Sequence, residues 1–477
     1  MKLKALFSIL MSAILIISLA ACAGATPTTP GTGGTPGAAG GSGTGAVGNV
    51  ERELVRIAWL GLNPDDRVDP ISGITFRGSH VLRDLLEEKL PHVEIEFIMI
   101  PNDGWIQNME TTLLAGEADI GWYTNQIAAI NWFVDHREFM ERDAYFTEAH
   151  FDSIFTPAAR HYTRYRSFDF PEHTGAILGL PFAVGSHFLL FDSQILDEWG
   201  VPHPSETPTF DELLEIIVAT TGTNPVNGRH NYGTFIASRW LEWLGISADI
   251  YRPLSLPSMN IHDLDVATYI DYIADCPNVL RYFEILLTMI EHAPAGAAAN
   301  AGHELWLTPD NNIAVMMDTP RTSAWYFHWI AGDTAVTERF LPFFLPVGEM
   351  GVSGFPEVPH IAVSRTANNP DLAWEVVKTI ATDIDVLNLL LENFEVGRVP
   401  ALLDYTGINV MNDPFINARY YERLERTFIT DDYWFWRDPI QRVFGGLFVG
   451  DLTAEEARAA WHSNAVDWVE TKRLQLG

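Results

Sequence analysis

The chain has 477 residues, with 30 Lys and Arg against 62 Asp and Glu and a formal net charge of −32. That length predicts two or three domains, and 47% hydrophobic residues with 15 Trp exclude a disordered chain. The acidic surplus argues against a nucleic-acid partner or docking on anionic lipid through a basic face, and two cysteines, Cys22 and Cys276, exclude a disulfide framework and an all-cysteine metal site.

Residues 1–21 read as a signal peptide. Lys2 and Lys4 form a positive start, an apolar run from Ala5 to Leu19 follows, and small residues end it. The run is too short for a spanning helix and lacks a charged stop. Leu19-Ala20-Ala21-Cys22 resembles the bacterial lipobox, in which the cysteine is acylated and becomes the first mature residue. An ordinary secretory signal with a chance cysteine is the alternative. With lipid on Cys22, Cys276 is left as a lone buried thiol. Residues 22–49 hold that cysteine and then almost only Gly, Ala, Thr and Pro. Such a composition buries no core and makes a flexible tether spanning on the order of 30 Å. The expected location is the extracytoplasmic face of the cell membrane, held by lipid. No later run is long and apolar enough to cross a membrane.

From residue 54 short apolar strands alternate with amphipathic helices. Leu54–Leu60 and Val93–Ile100 read as strands, Ser79–Leu90 and Trp105–Ala115 as helices, and Ala118–Trp122 as a third strand. That order predicts parallel pairing in an α/β layer. Leu178–Val184 and Phe188–Phe191 are further strands. Thr209-Phe210-Asp211-Glu212 is a capping box opening a helix that Gly222 closes. Residues 230–312 read as mostly helical, with a loop at Ala293–Gly302. Ile313–Met317 and Pro359–Val363 read as strands, Asn369-Pro370 starts a helix, and Thr453–Glu456 is a capping box for the C-terminal helix bearing Trp461 and Trp468.

Seven segments, in order, resemble motifs of the extracellular solute-binding proteins of ABC importers, the maltose- and oligosaccharide-binding type. They are Leu114–Ile120, Gly179–Ala183, Phe191-Asp192 with Gly200 through Glu212, Asn311–Asp318, Asn369–Lys378, Gly397–Ala401 and Gly450–Thr453. Ala118 stands where the family has proline, and Asn311-Asn312 where it has Gly-Lys. The resemblance implies an α/β, two-lobe periplasmic-binding-protein-like fold, with a hinge and a ligand cleft between the lobes. It places lobe 1 at 50–183 plus 318–368 and lobe 2 at 184–317 plus 369–477. It implies a monomer that captures an oligosaccharide without a cofactor and delivers it to the permease subunits of an importer.

A sugar site needs flat aromatic rings for ring faces and planar polar groups for hydroxyls. At the end of the third strand, Trp122 and Tyr123 precede Thr124, Asn125 and Gln126. The resemblance makes Tyr123 the stacking ring, and a core aromatic at a strand end is the competing reading. Arg321 and Trp325 follow the strand ending at Asp318, where Arg321 forks onto a ligand or pairs on the surface. Trp434 and Trp436 lie in Tyr433–Arg437, read as a strand whose alternation turns one of them toward the cleft. Asn63 and Asp65 follow the first strand; that loop lacks the glycine and glutamate of an EF-hand. His187 and Trp240 complete the candidates, with a structural histidine the competing reading for His187.

No nucleophile elbow, His-Glu-x-x-His motif, phosphate loop or dinucleotide fingerprint occurs, and the 15 histidines show no ligand spacing. Abundant carboxylates leave a lipid-anchored glycosidase as the rival class. A receptor that reports ligand to a membrane sensor is a third reading.

Overall fold

The computed structural model describes residues 52–68, 75–124, 126–165, 173–185, 188–205, 207–236, 273–299, 301–306, 308–318, 339–346, 358–395, 398–405 and 433–476, with isolated positions at 241–250 and 348. β1 (Glu53–Leu60) leads through a ribbon, β2 (Arg67–Val68) and β3 (Thr75–Phe76), into α1 (Ser79–Lys89), β4 (Val93–Ile100), α2 (Trp105–Leu114) and β5 (Ile120–Tyr123). β1 is parallel to β4 on one side and to β5 on the other, as strand–helix alternation predicts. In β4, Val93 and Ile95 are buried while Glu94 and Glu96 are exposed, the alternation of a strand with one wet face. α1 buries Ser79, Leu82 and Leu86, positions spaced to share one side of a helix. Four short helices follow: α3 (Gln126–Trp132), α4 (Arg137–Met140), α5 (Glu148–Ile154) and α6 (Pro157–Thr163). Thr147 and Thr156 cap the last two by accepting backbone N–H bonds.

The chain then crosses through β6 (Leu180–Pro181) and β7 (Ala183–Val184) into β8 (Phe188–Asp192), α7 (Ser193–Trp199), α8 (Phe210–Ala219), β9 (Gly222–Thr223), β10 (His230–Phe235), α9 (Pro277–Glu291), β11 (Ile313–Asp318) and β12 (Phe340–Phe343). These strands form a second five-stranded sheet, ordered β12-β8-β11-β10-β9, with β10 and β11 parallel and the other pairs antiparallel. Asp192 organises its edge. Fully buried, it caps α7 through the N–H groups of Gln194 and Ile195, accepts the Asn311 side-chain amide at 2.7 Å and takes a two-pronged bond from Arg339. Burying that carboxylate without a cation would be costly; Arg339 supplies one.

β13 (His360–Val363) returns to the first sheet between β5 and β6, giving the order β4-β1-β5-β13-β6. α10 (Pro370–Thr382) packs on β13 and α1, and α11 (Ile384–Asn393) packs on α1. β14 (Val399–Pro400) pairs antiparallel with β7, so two passages of the chain run side by side where it leaves the first sheet. α12 (Tyr433–Phe448) and α13 (Ala454–Leu476) pack together and against α9. At α13 the capping box is reciprocal, Thr453 and Glu456 each accepting the other's N–H.

Four readings from sequence are corrected. Residues 230–235, read as helical, are β10, a strand of the second sheet whose pattern is blurred by the Asn and Gly in His230–Phe235. Tyr433–Arg437, read as a strand, opens α12, where successive residues turn by about 100°, so the alternation argument for Trp434 and Trp436 lapses. Glu212 does not close its capping box. Thr209 caps the Glu212 N–H, but the Glu212 carboxylate accepts from the Ser205 backbone and hydroxyl, and Gly222 lies in β9 beyond the helix end. The sheets also divide the chain differently from the expected lobe limits. β12 joins the second sheet because β8 offers it an edge, and α10 and α11 stay with the first because their apolar faces cover β13 and α1.

Candidate functional site

The carboxyl ends of β1 and β5 gather the described candidates. Past Leu60, Gly61 turns the chain with φ of 72°, a left-handed conformation that suits glycine, and its N–H donates to the Ile100 carbonyl at 3.0 Å. The following loop is held from behind. The Ser79 N–H donates to the Asn63 carbonyl and the Gly78 N–H to the Asp66 carboxylate, each at 2.7 Å. Gly78 has no room for a side chain, since a Cβ there would lie 2.4 Å from the Pro64 carbonyl oxygen. The Gly78 amide, with Arg77 and His80 nearby, holds the Asp66 carboxyl below the ordinary range.

This loop, the β2–β3 ribbon and the end of α11 enclose a cavity of about 30 Å³ lined by Asn63, Asp65, Arg67, Phe76, Arg77 and Asn393, with Phe394 beside them. The Arg67 guanidinium lies over the Phe76 ring, 4.8 Å from its centroid, and Arg77 Nε is 3.3 Å from Asp66. Asn63 and Asp65 are thus brought together, in company the sequence did not single out. Arg67, Arg77 and Asn393 had one legible signal: two arginines close after a strand in a strongly acidic chain.

Trp122 and Tyr123, adjacent on β5, point to opposite sides of the sheet. Trp122 is 4% exposed, and its Nε1–H donates to Glu395 at 3.1 Å. Glu395 is ion-paired with Arg398, and both are buried. Half-buried Trp105 meets Trp122 edge-on at 6.0 Å. Tyr123, the ring expected to stack on ligand, is instead fully buried between Phe133, 5.0 Å away, and His360, 4.8 Å away and nearly parallel. The cause is register: β13 sets His360 directly opposite Tyr123 and closes it into the core. Asn125, His187, Trp240, Arg321 and Trp325 lie outside the described residues, as do Cys22 and the side chains of Trp434 and Trp436.

Glu395 and Arg398 immediately precede β14, where Val399 pairs with Val184 and Pro400 with Ala183. One short stretch therefore both supports Trp122 and forms half of the crossing ribbon. Among the described residues, every carboxyl with a displaced titration (Asp66, Glu87, Asp135, Asp143, Glu304 and Glu456) is displaced downward. Among those residues no cluster of His, Cys, Asp and Glu has the makings of a metal site, and no helix is long and apolar enough to cross a membrane.

No family model and no curated protein matches the chain. Solved structures do. An ABC substrate-binding protein from Listeria monocytogenes in complex with cycloalternan is similar with a TM-score of 0.62 at 12% identity, covering 87% of this chain and 98% of that one. The GacH receptor of Streptomyces glaucescens, determined unliganded and with acarbose, gives 0.63 at 13%, covering 88% and 99%. An ABC transporter solute-binding protein from Agrobacterium vitis with bound D-mannitol gives 0.64 at 13%, also covering 88% and 99%. The chain has the α/β, two-lobe fold of these binding proteins, the fold class expected from its sequence.

Proposed function

We propose that this chain is a lipid-anchored receptor on the extracytoplasmic face of the membrane. It captures a sugar or oligosaccharide between two lobes and delivers it to the permease subunits of an ABC importer. It works as a monomer, binding rather than transforming its ligand. The observation that carries this reading is the extent of the likeness in fold. Nearly the full length of each binding protein compared is matched, and those proteins were determined with cycloalternan, acarbose and D-mannitol.

The lobes are read as the first sheet with α1–α6, α10 and α11, and the second sheet with α7–α9, α12 and α13. The β7–β14 ribbon between them is read as part of the hinge, whose bending closes the cleft on ligand. The anchor rests on Leu19–Cys22 and the tether behind it. The test is a thermal-shift and calorimetric screen of the purified chain against neutral and charged oligosaccharides, followed by chromatography of the recovered sugar. A raised unfolding midpoint with the sugar returned intact is the expected result. Turnover that disappears when one carboxylate is replaced would make the chain an enzyme instead.

A further inference from the structure

We propose that a pocket at the amino ends of the first sheet's strands is a carbohydrate-binding site of its own, taking a stretch of a neutral glycan chain against Tyr145; it goes beyond the cleft reading and stands without it. The pocket, about 480 Å³, falls within the roughly 300–1,000 Å³ of small-molecule sites. Leu90 lines it, three residues before β4 begins, whereas the loop of Asn63 and Asp65 follows the far end of β1. β1 and β4 run parallel over eight residues, so about 25 Å of strand separates the two places. The receptor reading makes no use of this one.

One wall asks for a ligand that donates hydrogen bonds. Glu375, Thr379 and Thr382 line the pocket from positions that share one face of α10. The Thr379 and Thr382 hydroxyls donate to the carbonyls of Glu375 and Lys378, which leaves their oxygens to accept. Glu375 takes His92 on one carboxylate oxygen at 3.1 Å and keeps the other as an acceptor. The lysines of the lining are already engaged, Lys89 by Asp383 and Asp385 and Lys378 by Asp143, so they single out no anion. Those two lysines balance Glu375 and Asp383, so the lining does not single out a cation either. Hydroxyls, which donate without charge, match it.

Tyr145 supplies the ring. It is 89% exposed, yet its turn is fixed. The N–H groups of Tyr145 and Phe146 donate to the Asp143 carboxylate at 2.9 and 3.0 Å, and Trp374 and Lys378 bond the same carboxylate. Phe146 is buried edge-on against Trp374 and, with Leu90, adds apolar lining. A flat ring on a fixed turn offers area to the C–H face of a sugar at little entropic cost, with acceptors beside it for the hydroxyls.

The experiment labels the purified full chain with 3-fluorotyrosine and follows fluorine NMR during titration with hexasaccharides of glucose, xylose, galactose and mannose. The line that disappears in Tyr145→Phe belongs to this ring, and at least one hexasaccharide should shift it. In Thr379→Arg, which fills the pocket and is checked for an unaltered unfolding midpoint, the same shift should need at least about tenfold more sugar. Native gels cast with the corresponding polysaccharides separate the sources. Retardation lost in Tyr145→Ala marks a polymer as the ligand, and a shifted line without retardation marks a free oligosaccharide. A Tyr145 line that no hexasaccharide moves overturns the proposal, as does a shift that survives undiminished in Thr379→Arg. Sugar binding that leaves the line still overturns it while leaving the receptor reading standing.

Discussion

Trp122 and Glu395 stand 273 positions apart, yet the indole Nε1–H of one donates to the carboxylate of the other at 3.1 Å inside the protein. Glu395 is also the buried partner of Arg398. A buried ion pair adds little net stability, because desolvating two charges offsets most of their attraction. What this one does is geometric: a single carboxylate fixes the ring at the end of β5 and the entry to β14.

Replacing Glu395 by Leu removes the carboxylate paired with Arg398 in the interior, and should cost about 3–5 kcal/mol in denaturant unfolding. Glu395→Gln keeps an oxygen for the indole and should cost less. The double variant Glu395→Leu with Arg398→Met should recover much of the loss, since the unmatched charge goes too. If the double variant is as unstable as the single one, the pair is not acting as a unit.

Tyr123→Ala should behave as a core truncation. The ring is closed between Phe133 and His360, so its loss should cost about 3–5 kcal/mol of stability and leave ligand affinity of the folded fraction unchanged. Tyr123→Phe keeps the stack and should cost far less. A variant of normal stability with weakened sugar binding would return Tyr123 to the ligand site.

Stability should fall on acidification through two buried histidines. His136 accepts the Val363 N–H on Nε2, and His360 stacks on Tyr123 with Nε2 at 3.0 Å from the Thr163 hydroxyl. Burial pushes His136 down to about 4 and His360 down to about 3. Above about 6.5, the ordinary value, neither the folded nor the unfolded chain protonates them, and their contribution is fully present. Below it the unfolded chain takes up protons that the folded one refuses. Stability is then lost at about 1.4 kcal/mol per pH unit for each group, down to its folded value. Unfolding midpoints between pH 7 and 4.5 measure this, and His360→Gln should flatten the slope.

Cys22→Ala should move the protein from the membrane fraction to the soluble one, read by fractionation and immunoblotting after a high-salt wash. Retention on the membrane would show that something other than a lipid on Cys22 holds it.

β1, β4, α1 and α2 were legible to within a residue or so, because each has an unbroken apolar period and a local stop such as Pro91 or Gly116. β10 was not, since Asn and Gly interrupt its pattern while β11 supplies the parallel neighbour that makes it a strand. The site was legible only where its residues are local. Asn63 and Asp65 follow a strand end and read as a binding loop. The burial of Tyr123 depends on a histidine at 360, and the cavity wall on an asparagine at 393, and no periodicity near residue 123 or 63 carries those arrivals.

β13 bonds to β5 on one edge and β6 on the other, so the first sheet stays split until residue 363 has been synthesised. Closing loops of that length before any contact rewards them is slow, and the chain spends most of its synthesis without the strand that joins β5 to β6. On the proposed reading of residues 1–21 as a secretory signal, that delay would keep the polypeptide threadable for export, with the sheet completed on the far side.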